Sequence, residues 1–209
     1  MSNKSIKFSL IAQGVSKETY EKLVEVSYKS VALGVSKANK NINSNPLKFS
    51  YRGLKSLWYS ASIKSEFHKS VLLDSYLRTK VKHLKSHGVD YYLVEGKALL
   101  CFKRMDSKSK ISGFYSKRFK ELMSGNPIHY SKNMLDMLSM LGVQKPLPIY
   151  FVGHILDLNG NIKDVKLVHY HDNKIVFDIS LKMLNTVTLF RENGSDDILV
   201  TPKRLRKAN

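Results

Sequence analysis

The chain has 209 residues, 43% of them hydrophobic, and carries 35 Lys+Arg against 17 Asp+Glu, a formal charge of +18. That length supports one sizeable core or two small ones. The single cysteine excludes an intramolecular disulfide, and no run reaches the ~18 apolar residues of a membrane-spanning helix.

In chain order, Ser16 is placed to cap a helix starting at Lys17, with apolar residues at Tyr20, Leu23, Val24, Tyr28, Val31 and Val35. The asparagine-rich run at 39–46, closed by Pro46, reads as a loop. Residues 47–60 are basic and aromatic, and Gly53 argues against one continuous helix there. A second helix is predicted over 62–86 from Ile63, Phe67, Val71, Leu77, Val81 and Leu84, with His87-Gly88 as its stop. The period then changes. The apolar runs 91–94 and 98–102 flank Glu95-Gly96 and predict a hairpin, followed by a polar loop over 103–113. Short helices are predicted over 116–123 and 132–141. Strands follow at 149–156, 165–171 and 174–181. Their turns, at Asn159-Gly160-Asn161 and Asp172-Asn173, accept positive φ. A further strand pair is expected at 187–190 and 198–201, before a basic tail at 203–207.

The fold class expected is α+β: a helical N-terminal half (1–88), then an α+β core (89–209) built as an antiparallel meander with interposed helices and a basic tail.

A body with this much positive charge repels itself, so a polyanionic partner is expected, nucleic acid (DNA or RNA) first and an anionic membrane surface or an acidic protein second. The excess is uneven. Between 101 and 120, Lys103, Arg104, Lys108, Lys110, Lys117, Arg118 and Lys120 face one acidic residue and are interleaved with Phe114, Tyr115 and Phe119. Ammonium and guanidinium groups so placed can hold phosphates while a ring stacks on a base. Arg78, Lys80, Lys82 and Lys85 add to this set on the predicted second helix. Convergence of these residues on one face would mark a binding site, and scatter would mark a solvated surface. With nucleic acid first, no membrane partner and no cofactor is implied, and a cytoplasmic location is expected.

Three patterns bear on catalysis. Glu95-Gly96-Lys97 spells the Glu-x-Lys of metal-dependent nucleases, with Asp90 upstream as a second carboxylate, although the glutamate falls in the expected turn. His83 and His87 stand four apart, as helical metal ligands do, but Leu84 stands where a zinc peptidase carries glutamate. His154, His169 and His171 lie on predicted strands, where two histidines and a cation would suffice for a metal-free ribonuclease. Cys101, inside an apolar run, reads as a small buried side chain. None of the three fixes a reaction, so a non-enzymatic nucleic-acid-binding protein is the leading expectation, with a nuclease or toxin-like ribonuclease and a protein-interaction module (antitoxin or inhibitor) as alternatives.

The stretch 94–106, with Leu100-Cys101-Phe102-Lys103-Arg104-Met105-Asp106 at its centre, resembles an uncharacterised bacterial family with a Leu-x-Phe-Lys-Lys-Leu-Asp core. That family continues into a proline-containing segment and a Gly-Tyr-x-Leu-Asp strand. Here these read Leu147-Pro148-Ile149 and Gly153-His154-Ile155-Leu156-Asp157, with His154 in place of Tyr and Arg104 in place of Lys. The resemblance spans about residues 90–181. It implies a bacterial or phage origin and an association with mobile elements and defence or toxin–antitoxin-like loci, and carries no catalytic residue with it.

Overall fold

The structure is a computed structural model that describes residues 7–86, 89–111, 130–140, 142–143 and 147–182. The helix predicted over 116–123, the strands at 187–190 and 198–201, and the tail lie outside them. So do Lys117, Arg118, Lys120 and His87.

Helix α1 spans Lys17–Ser44, and Ser16 caps it by accepting from the Thr19 N–H. It runs through the segment expected to be a loop. Ile42 is buried there, and the asparagine side chains bond within the protein: Asn41 to the Lys37 carbonyl, Asn45 to the Asn41 carbonyl, and Asn39 across to Gly160. Packing and these bonds overcome the weak helix propensity of asparagine. Helix α2, Arg52–Leu73, lies against α1. Gly34 makes this close approach possible, since a Cβ there would stand 2.5 Å from the Ile63 Cα.

The helix predicted over 62–86 does not run through. Asp74 leaves the helical conformation (φ −82, ψ 112), and its carboxylate accepts from the Tyr76 and Leu77 N–H groups. It thereby caps a new short helix, α3, Ser75–Lys80. The chain then becomes a strand, β1, Val81–Ser86. So Lys82 and Lys85 are strand residues, and Arg78 and Lys80 of that basic group are helical.

Five further strands follow: β2 Val89–Val94, β3 Ala98–Arg104, β4 Ile149–Leu156, β5 Ile162–His171 and β6 Lys174–Ser180. Helix α4, Lys132–Met140, lies between β3 and β4. The strands form one sheet in sequence order, and the fold is α+β. All neighbours are antiparallel except β3 and β4, which are parallel from Leu99↔Ile149 to Arg104↔His154. A parallel joint needs a crossover rather than a hairpin. Here the crossover carries α4.

Strand alternation divides the sheet into two buried faces. On one, Tyr92, Val94, Leu100, Phe102, Tyr150, Val152 and Leu167 pack against α1 and α2. On the other, Tyr91, Leu93, Leu99, Cys101, Phe151, Val168 and Tyr170 pack with Tyr130, Leu138 and Leu147 from the crossover. A sheet covered on both faces explains the continuous apolar runs of β2, β3 and β4.

Candidate nucleic-acid interface

Among the described residues, the basic side chains singled out in the sequence do not assemble as one set. Strand β3 extends through Lys103 and Arg104, where a loop was expected. Alternation puts Arg104 on the α1–α2 face with Phe102, and Lys103 on the opposite face with Cys101. Lys108 and Lys110 are exposed on a turn closed by Asp106, whose carboxylate accepts from both of their backbone N–H groups. That turn is pinned from inside by Ser109, which bonds Asp178 and Lys166 and whose carbonyl accepts from Tyr170. On β1, Lys82 shares the face of its cross-strand partner Leu93, and Lys85 the face of Asp90. Arg78 is exposed on α3.

Positive charge does converge at the other end of the sheet, around the Glu95-Gly96 turn. Both central residues have positive φ (48° and 67°), and the Lys97 N–H closes the turn on the Val94 carbonyl at 2.8 Å. The register pairs Val94 with Ala98, so Glu95, Gly96 and Lys97 form a short three-residue hairpin loop. The turn abuts the start of α1. The Ser16 N–H donates to Glu95 Oε2 at 3.0 Å, and the Ser16 and Thr19 hydroxyls donate to Oε1 at 2.9 and 2.8 Å. Lys97 lies 3.5 Å and Lys80 3.9 Å from the carboxylate, and Lys97 also donates to the Gly14 carbonyl. Burial pulls the Glu95 pKa up. The bonds from the Ser16 N–H and from the Thr19 and Ser16 hydroxyls, with the Lys97 charge, outweigh it and take it down to about 2.

This arrangement lines a cleft of about 1110 Å³. Lys80, Lys82 and Lys97 supply its charge, Gln13, Ser16 and Thr79 its neutral polar groups, and Leu93, Val143, Leu147 and Pro148 its apolar wall. Lys82 is exposed and has no carboxylate partner among the described residues. Three ammonium groups around one internally satisfied carboxylate leave a net positive concavity with an apolar side.

The catalytic patterns fare differently. Glu95 spends its carboxylate on α1. Asp90 stands at the opposite end of β2, about 16 Å along the strand, where it pairs with Lys64 and His83. The two carboxylates of a nuclease pair are therefore apart. His83 is on a strand, not on a helix, so the four-residue helical spacing with His87 does not arise. Among the described residues no group of three His, Cys, Asp or Glu is placed to hold a metal ion. Cys101 is buried, and burial pushes its thiol up to about 12, which removes it as a nucleophile.

His154 and His169 are buried on the α1–α2 face, at opposite ends of β4. His154 stands across from Arg104. His169 stacks on Tyr150, its Nδ1 lies 2.8 Å from the Ile149 carbonyl, and the Phe8 ring meets both it and His171. Burial, helped by Arg104, lowers the His154 pKa to about 4, and burial also lowers that of His169. Both side chains are held neutral in the folded state, whereas an unfolded histidine takes its proton near pH 6.5. The unfolded chain therefore binds more protons than the folded one between about pH 6.5 and 4, and stability falls as pH falls through that window. Urea unfolding midpoints between pH 7 and 4.5 should drop for the natural chain. The drop should be shallower for His154→Leu, and an equal drop in both would contradict this account.

No helix among the described residues is long and apolar enough to cross a membrane. Compared with family models, with curated proteins and with solved structures, the chain shows no match, so the functional reading rests on its own geometry.

Proposed function

We propose that this is a nucleic-acid-binding protein that seats a strand in the cleft between the start of α1, the α3–β1 junction and the β2–β3 turn. The observation that carries the reading is the convergence of Lys80, Lys82 and Lys97 on one concave, partly apolar surface in a chain of formal charge +18. Phosphates take the lysines, and sugar and base lie against Leu93, Val143 and Pro148. Among the described lining residues there is no aromatic ring and there are few neutral hydrogen-bonding groups, so affinity comes from the backbone and sequence preference is weak. A regulatory or defence-linked role of bacterial or phage origin follows the resemblance carried by residues 94–106.

Fluorescence anisotropy with single-stranded DNA and RNA oligonucleotides tests this. Three neutralised phosphates give a log affinity that falls against log salt with a slope of about −2, and other surface lysines steepen it. Affinity that ignores salt, or no binding at about 50 mM salt, would overturn the proposal.

A further inference from the structure

His83, released from its expected helical partner, meets a different histidine. On the α2 side of β1 its ring centroid lies 4.8 Å from that of His68, and it stacks on Tyr92 at 5.0 Å. His83 Nε2 is 3.0 Å from Asp90 Oδ1, and Asp90 Oδ2 accepts from Lys64 at 2.5 Å. Asp90 is thus fixed from two sides and in turn fixes the His83 ring. In the tautomer that donates Nε2–H to Asp90, Nδ1 is left as an acceptor. His68, one helical turn beyond Lys64, makes no hydrogen bond through its ring among the described residues, and both imidazoles are partly exposed. Lys85, exposed and two residues along β1 on the same face, completes the surroundings. Among the described residues, the charged and titratable groups around the pair are Lys64 from α2, Asp90 and Tyr92 from β2, and Lys85 from β1.

We propose that His83 and His68 are an acid–base pair that cleaves RNA held along this edge of the sheet. Two imidazoles move protons but supply neither a nucleophile nor a Lewis acid. The phosphodiester that brings its own nucleophile is that of RNA. His83 Nδ1 takes the proton of the ribose 2′-hydroxyl as its oxygen attacks the adjacent phosphorus. The bond from phosphorus to the 5′-oxygen breaks, and protonated His68 gives its proton to that oxygen. One proton is taken and one given, nothing is oxidised, and the products are a 2′,3′-cyclic phosphate and a 5′-hydroxyl. Lys85 meets the phosphate charge. The substrate depends on the nucleic-acid reading above, while the chemistry depends on this pair alone.

The test incubates the full chain with a fluorescently labelled RNA oligonucleotide and with DNA of the same sequence, both in excess EDTA. RNA should be cut to cyclic-phosphate ends and DNA left intact. Rates should fall about 100-fold or more in His68→Gln and in His83→Asn, in line with the usual contribution of a general acid or base. His68 has no side-chain hydrogen bond to lose among the described residues, so H68Q should keep its melting temperature and its RNA affinity while losing cleavage. The bell-shaped pH profile of the natural chain should keep one limb in each variant. RNA that binds but stays intact overturns the cleavage and leaves the binding standing. RNA that neither binds nor is cut overturns both. Cleavage undiminished in both variants overturns the assignment to this pair.

Discussion

Replacing Lys80, Lys82 and Lys97 together by glutamine is expected to weaken oligonucleotide binding about 100-fold at 0.1 M salt. Each phosphate contact with a single strand contributes a salt slope of about 0.7, which at 0.1 M salt is about 0.7 log units of affinity. Three contacts make about 2 log units, and the slope itself should become shallower by about 2. Lys80 and Lys97 also stand beside Glu95, and Lys97 holds the Gly14 carbonyl, so the triple variant should melt somewhat below the natural chain. Lys82→Glu separates the two effects. Lys82 is exposed and unpaired with any carboxylate among the described residues. Its reversal should cost affinity about tenfold and leave the melting temperature unchanged. Binding unaltered in both variants would move the interface elsewhere.

The largest stability loss is expected at Glu95. Its side chain is 8% exposed and accepts three hydrogen bonds from the first turn of α1, beside two ammonium groups. Glu95→Ala strands the Ser16 N–H, takes an acceptor away from the Ser16 and Thr19 hydroxyls and leaves Lys97 without its carboxylate. About 3 kcal/mol is the usual scale for removing one partner of such a buried, hydrogen-bonded pair. The pH dependence has a definite sign. The folded pKa of about 2 lies below the ordinary 4.5, so the contribution is fully present above about pH 4.5 and is lost as pH falls toward 2. The natural chain should lose stability across that window, and the alanine variant should lose less. A urea midpoint unchanged by Glu95→Ala would show that the turn and α1 are not coupled.

The legible parts of the fold are those with local signals. Ser16 caps α1, Glu95-Gly96 turns the first hairpin, and the Asn159-Gly160 and Asp172-Asn173 turns join β4, β5 and β6. β1 was hidden because Val81, Leu84 and the residues before them sustain a helical spacing. The signal that ends the helix is Asp74-Ser75, whose capping carboxylate competes with continuation of α2. The parallel joint between β3 and β4 was hidden because no local pattern distinguishes a parallel neighbour from an antiparallel one when a long connection intervenes.

The site was less legible than the fold, for a geometric reason. A linear cluster on a strand is split by alternation, as Lys103 and Arg104 show. The cleft draws its lining from Gln13 and Ser16, from Thr79, Lys80 and Lys82, from Leu93 and the 95–97 turn, and from 142–143 and 147–148, which no single window of sequence contains. Lys80 and Lys97 were visible as charges, but their convergence depends on β1 lying beside β2 and on the turn docking against α1. His68 carried no motif at all, and it gains a partner only because β1 is a strand.

The most direct test of the central claim is a lysine-protection map. The chain is acetylated briefly with and without a saturating single-stranded oligonucleotide, and the modified positions are read by mass spectrometry. Lys82 and Lys80 should be strongly protected and Lys97 protected as well, while labelling of Lys40 and Lys69, exposed on α1 and α2, should not change. Protection confined to Lys40 and Lys69, or labelling of Lys82 that ignores the oligonucleotide, would contradict it.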